Sequence, residues 1–141
     1  MTREDKELLL KDICARLTYG IKAAYYEVEE ECETWDEIEG VTLCEDFGGY
    51  VDIGQYSLPI ECIKPYLFPM SSMTEEQKKY ITDKWGINEE FDFEIDHNCG
   101  EYFVELGDTV DFIDWLNKNH FDYRGLIPMG LAIDVTSLNI Y

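Results

Sequence analysis

The sequence has few basic residues, with 11 Lys and Arg against 31 Asp and Glu, and its formal net charge is −20. Such a chain repels nucleic-acid phosphates and anionic membrane surfaces, so we expect no direct binding to nucleic acid or to a membrane. A partner attracted by charge would be a basic protein or a cation. The charge balance does not fix an oligomeric state.

The sequence also lacks a long apolar run. Its first residues, MTREDKELLLKD, are charged and include only three consecutive leucines, so we expect neither a signal peptide nor a membrane span. The cysteines are odd in number, widely spaced and without a CxxC pair. We therefore expect a cytoplasmic protein whose cysteines are reduced and mostly buried. They are Cys14, Cys32, Cys44, Cys62 and Cys99.

Motifs that mark common catalytic and cofactor sites are absent as well. There is no GxSxG and no cysteine beside a base, and the Gly48-Gly49 pair is not followed by the lysine of a phosphate-binding loop. We expect no cofactor. Whether the protein is an enzyme stays open, and the missing motifs favour a protein without catalytic activity.

Metal sites have little support. His97 and Cys99 would need Cys32 or Cys44 to complete a zinc site, and their spacing does not favour one. Calcium could take the oxygens of neighbouring acids, but the EF-hand spacing is missing. Those acids are Asp92, Glu94, Asp96 and Glu101.

The chain does carry ample material for a core, since 45% of its 141 residues are hydrophobic and 14% are aromatic. This length suits one domain over residues 1–141, and about two thirds of the unfolded surface can be buried at this size.

Three helices are predicted, over about 3–17, 75–85 and 109–119. Thr2 can cap the first helix, and Gly20 ends it or begins a turn. Thr74 and Gln77 form a capping box for the second, and Asp108 caps the third.

Six short strands are predicted, over 21–31, VTLCED, YVDIGQY, 90–96, 101–106 and GLAIDV. Phe47-Gly48-Gly49 fits a hairpin turn, and residues 90–96 and 101–106 form an antiparallel hairpin. The acidic stretch from Glu27 to Glu39 either prolongs the first strand or leaves the sheet, and an exposed loop is favoured. The prediction is an α+β domain with three helices on an antiparallel sheet of five to six strands.

The segment DWLNKNHFDYRGLI crowds several polar groups around one helix end. His120, Asp122 and Arg124, with Asp114 and Tyr123 nearby, could form an acid–base cluster and are weak catalytic candidates. The favoured alternative is structural, with Lys118 and His120 ending a helix and Asp122 capping a turn.

Acidic residues form two blocks, Glu27 to Glu39 and the Asp92, Glu94, Asp96 face of a predicted strand. Residues i and i+2 of a strand point the same way about 6.8 Å apart, so the second block would make a regular row. The favoured interpretation is a solubilising surface. The alternative is a decoy that imitates the phosphates of DNA and occupies a partner's basic groove.

Aromatic and Met residues flank the prolines of the middle segment. Tyr66 and Phe68, with Met70 and Met73, could anchor a partner, because such side chains are enriched at interfaces. The favoured alternative is that they pack on the protein's own core.

Three stretches, LLLKDICARLTYGIK, IKPYLFPMSSMTEEQ and WLNKNHFDYRGLIPMGLAI, resemble a family of short uncharacterised proteins from gut anaerobes, their phages and mobile elements. They cover about a third of the chain. The resemblance implies no catalytic residue and no cofactor. It favours a non-enzymatic, protein-binding accessory factor of a phage or mobile element. Two alternatives stay open: an acidic nucleic-acid mimic that inhibits a host DNA- or RNA-binding protein, and a small enzyme that uses residues 114–124.

Overall fold

The computed structural model describes residues 1–27, 31–44, 49–86 and 106–141, with the backbone alone for 106–108. Its helices are α1 (Arg3–Arg16), α2 (Glu75–Trp85) and α3 (Leu106–Lys118). Short 3₁₀ turns cover Leu17–Tyr19, Ile60–Cys62 and Met70–Ser72. The six strands are β1 (Lys22–Glu27), β2 (Cys32–Thr42), β3 (Tyr50–Ile53), β4 (Tyr56–Pro59), β5 (Lys64–Leu67) and β6 (Ile133–Asp134).

The first two helices begin where their caps predict. The Thr2 hydroxyl accepts a hydrogen bond from the Asp5 N–H, while the Asp5 carboxylate accepts one from the Thr2 N–H. Thr74 and Gln77 bond in the same reciprocal way at the start of α2. These capping boxes satisfy N–H groups that have no partner inside a helix.

Helix α3 begins earlier than predicted. It starts at Leu106, so Asp108 lies inside the helix and is not its N-terminal cap, and Leu106 is helical instead of ending a strand. The rest of the predicted hairpin over 90–96 and 101–106 lies outside the described residues.

The loop favoured for the acidic stretch is wrong, because β2 is an 11-residue strand. It pairs antiparallel with β1 over six positions, from Lys22 opposite Glu37 to Glu27 opposite Cys32. It also pairs antiparallel with β3, with a register shift between Ile38 and Gly40. Backbone pairing on both sides outweighs the poor strand propensity of glutamate.

YVDIGQY is two strands and not one. Gly54 has a positive φ of 56° and Gln55 follows it, so the chain reverses there into the β3–β4 hairpin. Glycine takes a positive φ at little cost, which is why the turn falls at this residue. β5 lies in the proline-rich middle segment, which is not among the six predicted strands.

The sheet has the order β4-β3-β2-β1-β5-β6, and only the short β5–β6 pair is parallel. The described residues therefore confirm the predicted α+β class, with three helices and a six-stranded, mostly antiparallel sheet. Leu9 and Ile13 of α1 pack on one face of the sheet against Ala23, Ile38 and Ile53. A second cluster joins α2 to α3 through Met70, Met73, Ile81, Leu116 and Phe121.

The burial predicted for the cysteines is wrong for four of them. Cys14 and Cys62 are exposed, and Cys32 and Cys44 are half-buried, while Cys99 lies outside the described residues. Cys14 lies on α1 beside the buried face of that helix, which carries Leu9, Asp12, Ile13 and Arg16.

Removing the cap of α2 should weaken the fold measurably. We expect Thr74→Ala to lower the free energy of unfolding by about 1 kcal/mol, because the Gln77 N–H loses its acceptor. Thr74→Ser keeps the hydroxyl and should stay within about 0.3 kcal/mol of wild type. Urea denaturation followed by circular dichroism measures both, and equal loss in the two variants would contradict the capping role.

Candidate functional site

The helix-end cluster, which consists of His120, Asp122 and Arg124, lies where α3 ends. The Phe121 N–H donates to the Leu116 carbonyl at 3.0 Å, and the His120 N–H donates to the Asn117 carbonyl at 3.1 Å. His120 has a φ of 57°, the left-handed conformation that usually falls to glycine. These bonds and this φ define a Schellman helix end with histidine at its left-handed position.

Beneath this helix end lies a fully buried ion pair from α1. Asp12 and Arg16 are both 0% exposed, with the Arg16 Nε 2.8 Å from Asp12 Oδ2 and the Nη2 2.9 Å from Oδ1. Arg16 also donates to the Phe121 carbonyl at 2.7 Å and to the Leu116 carbonyl at 3.4 Å. The guanidinium therefore joins the first helix to the carbonyls that end α3.

Arg124 adds a second cation to the same carboxylate. Its Nε lies 3.3 Å from Asp12 Oδ1, although the N–H is not aligned for a hydrogen bond. Its guanidinium lies over the Tyr123 ring, 4.8 Å from the centroid. Arg124 is thus held by Asp12 and Tyr123.

Asp122 caps the turn that follows. Its two carboxylate oxygens accept from the Leu126 and Ile127 N–H groups, each at 2.8 Å. Gly125 has a positive φ of 74° within this turn. The predicted capped turn is confirmed, and both oxygens of Asp122 are occupied by backbone donors.

His120 is buried and stacks on the Tyr141 ring at 4.1 Å between centroids. Its pKa is lowered from 6.5 to about 4, mainly by burial and also by the charges of Arg16 and Lys22, while a backbone hydrogen bond with Tyr19 opposes them. Its Nδ1 has no hydrogen-bond partner. The side chain is therefore a neutral packing group at neutral pH.

The structure brings His120, Asp122 and Arg124 close in the fold but gives each of them a separate structural contact. Among the bonds described, none joins the imidazole to either charged group. General acid–base work needs groups within hydrogen-bond reach of each other or of a substrate. The helix-stop interpretation accounts for the backbone bonds at His120 and for the capping role of Asp122, while Arg124 is held by Asp12 and Tyr123.

A different surface stands out on the other face of the sheet. Strand alternation turns Lys22, Ala24 and Tyr26 of β1 away from the α1 side, together with Glu33, Trp35 and Glu37 of β2. We call these six residues the outer face. Trp35 is 43% exposed and Tyr26 is 54% exposed, and their register makes them diagonal neighbours.

Carboxylates flank the exposed indole along β2. Glu33 and Glu37 are exposed and lie two residues before and after Trp35, so all three point the same way. Neither glutamate takes part in an ion pair within the described ranges. Lys22 lies directly opposite Glu37 on β1, and the Glu37 carboxylate lies 3.4 Å from the position of a Cβ at Gly20. The indole therefore lies between an acidic side chain without a cation opposite it, Glu33, and one whose charge is partly balanced by Lys22, Glu37.

A cation already contacts this indole. The Lys22 Nζ lies 5.0 Å from the Trp35 centroid and 5.5 Å from the Tyr141 centroid, and it donates to the Ile140 carbonyl at 2.7 Å. The Tyr141 hydroxyl donates to the Tyr66 carbonyl and accepts from the Lys22 N–H. The pKa of Tyr141 is raised to about 12, mainly by burial and against the effect of that Lys22 bond, so the phenol stays neutral.

The other candidates from the sequence fall elsewhere. Tyr66 is buried, and Phe68 is half-buried against the rings of Phe121 and Tyr141, as the packing alternative predicts. Outside the described residues lie Asp92, Glu94, Asp96, His97, Cys99 and Glu101. Over the ranges that are described, no group of three His, Cys, Asp or Glu side chains is placed to hold a metal ion.

Trp35 and Tyr26 were not among the predicted partner-binding residues. The signal was present in ETWDEIE, where Trp35 and the buried Ile38 interrupt the acids, but the glutamates led us to favour a loop there.

No protein-family model, curated protein or solved structure matches this chain. Within the described ranges, none of the helices combines the length and apolar character that a bilayer crossing requires.

Proposed function

We propose that the protein is a non-enzymatic binding factor that contacts a basic protein through the β2 side of its outer face. The observation that carries the proposal is the exposure of Trp35, which lies between Glu33 and Glu37 on β2, and of its diagonal neighbour Tyr26 on β1. Exposed Trp and Tyr are enriched among the residues that dominate binding energy. The resemblance to proteins of phages and mobile elements supports an accessory role.

Charge supports a basic partner. A net charge of −20 attracts a positively charged protein over several ångströms and speeds the encounter. The two exposed rings then supply apolar contact area once the surfaces meet. Lys64 is exposed on β5, on the far side of Ala24, so a basic partner is favoured over β2 and disfavoured over β5.

A second candidate is the acidic mimic, in which the partner's basic surface is a nucleic-acid groove. The observation that favours it is that the acids of β2 are held on a paired strand, so Glu33 and Glu37 keep a fixed spacing. A mimic competes directly with duplex DNA, and its binding falls steeply from about 50 to 200 mM salt.

The test is affinity capture from a bacterial lysate with wild type and a Tyr26→Ala/Trp35→Ala double variant. We expect a captured basic protein to be lost by at least about tenfold in the double variant, because two central aromatic contacts disappear. Val110→Ala/Met129→Ala removes exposed apolar side chains elsewhere and should capture as wild type does. Equal capture by all three would contradict the proposal.

The same captured protein separates the two candidates. Its release by added duplex DNA supports the mimic, whereas retention in the presence of DNA supports binding at a surface that nucleic acid does not use.

A further inference from the structure

We propose that the Trp35 indole, with Glu33 and Glu37, is a site for an arginine side chain of the basic partner. The inference rests on the proposed function and adds to it the chemical group that the outer face recognises. Three steps lead to it: the seated cation, the flanking charges and the shape of the guanidinium.

The first step is that this indole already accepts a cation. Lys22 Nζ lies over the ring, 5.0 Å from its centroid, while 43% of the residue stays exposed. The attraction comes from the negative face of the ring. Because Lys22 also donates to the Ile140 carbonyl, its position is fixed and it leaves the exposed part of the ring open.

The second step is charge. Glu33 and Glu37 lie about 6.8 Å before and after Trp35 along β2, and neither forms an ion pair in the described part of the chain. Lys22 lies opposite Glu37, whose carboxylate lies beside Gly20, so Glu33 is the nearer free carboxylate for a cation on the ring and Glu37 reaches it only by a change of rotamer. The small Ala24 lies opposite Trp35 on β1, so the strand partner does not cover the ring with a side chain of its own.

The third step is shape. An arginine guanidinium is planar, so it can stack on an indole while its N–H groups at the rim donate to carboxylates on either side. A lysine ammonium is a compact, strongly hydrated charge that cannot make both contacts at once. The fixed charge of Lys22 repels a second cation, and the negative charge of Glu33 and Glu37 offsets that repulsion.

The experiment measures the affinities of blocked hexa-arginine and hexa-lysine peptides by calorimetric titration and follows the Trp35 indole N–H by NMR, with the signal assigned by Trp35→Phe. At about 100 mM salt we expect hexa-arginine to shift this signal and to bind at least about fivefold more tightly than hexa-lysine. Glu33→Gln/Glu37→Gln should remove the preference. Asp83→Asn/Asp114→Asn, which removes two exposed acids of α2 and α3, should keep it.

The outcomes separate the arginine site from the proposed binding face. Equal binding of both peptides, still lost in Trp35→Ala, overturns the arginine site but leaves the proposed binding face standing. Binding that does not depend on Trp35 or on the two glutamates overturns both. Self-association of the protein that depends on Trp35, seen by sedimentation, would assign the face to a second copy and overturn the arginine site.

Discussion

Replacing Asp12 by alanine is expected to lower the free energy of unfolding by about 3–5 kcal/mol, the largest effect of any variant considered. Asp12 and Arg16 are both completely buried, so the substitution leaves the Arg16 guanidinium in the interior without its carboxylate. Arg124 loses the same partner. The loss in stability is the cost of an uncompensated buried charge. This cost is larger than the net stabilisation that the ion pair itself provides.

The same helix offers a matched control. Arg3 and Glu7 form an ion pair at the same i,i+4 spacing, with 3.0 Å between nitrogen and oxygen, but both side chains are exposed. Glu7→Ala should cost no more than about 0.5 kcal/mol, because water screens an exposed pair. Urea unfolding of the two variants compares them, and similar small losses would contradict the role assigned to the buried pair.

The second large effect is on the pH dependence of stability. The pKa of His120 is lowered from its ordinary 6.5 to about 4, first by burial and then by Arg16. Above pH 6.5 the histidine is neutral in both the folded and the unfolded chain, so its full contribution to the free energy of unfolding is present. Between pH 6.5 and 4 only the unfolded chain binds the proton, so the free energy of unfolding falls by about 3 kcal/mol in all as the pH drops.

His120→Asn isolates this contribution, because asparagine tolerates the positive φ at this position but does not titrate. The variant loses the stacking on Tyr141 and should be less stable than wild type at pH 7.5. That difference should shrink by about 3 kcal/mol on going to pH 4, since only the wild type loses the histidine contribution. A difference that stays constant across this range would show that His120 is not held neutral.

Much of the fold could be predicted from local signals. The caps at Thr2 and Thr74 act within one helical turn, and the glycine at position 86 ends α2 in the left-handed conformation. Such features depend on residues that lie close in sequence. The end of α3 near His120 was predicted as well, but its left-handed conformation was not, because a histidine stands where glycine usually marks such an end.

What could not be predicted depends on contacts between distant parts of the chain. β2 is a strand because β1 and β3 pair with it on both sides, and its glutamates give no local sign of that. Asp12 and Arg16 have the spacing of an ordinary exposed helix pair, and only their place on the face of Leu9 and Ile13 hints at burial. Long-range pairing also decides which side chains, Trp35 among them, stay exposed.

Calorimetric titration of hexa-arginine into wild type, Trp35→Ala and His120→Asn at pH 7.5 tests the central claim most directly. The claim is that the outer face binds a basic partner and that the helix-end cluster is structural. We expect at least about fivefold weaker binding for Trp35→Ala and a wild-type affinity for His120→Asn, provided that circular dichroism shows both folded. Loss of binding in His120→Asn with no change in Trp35→Ala would contradict it.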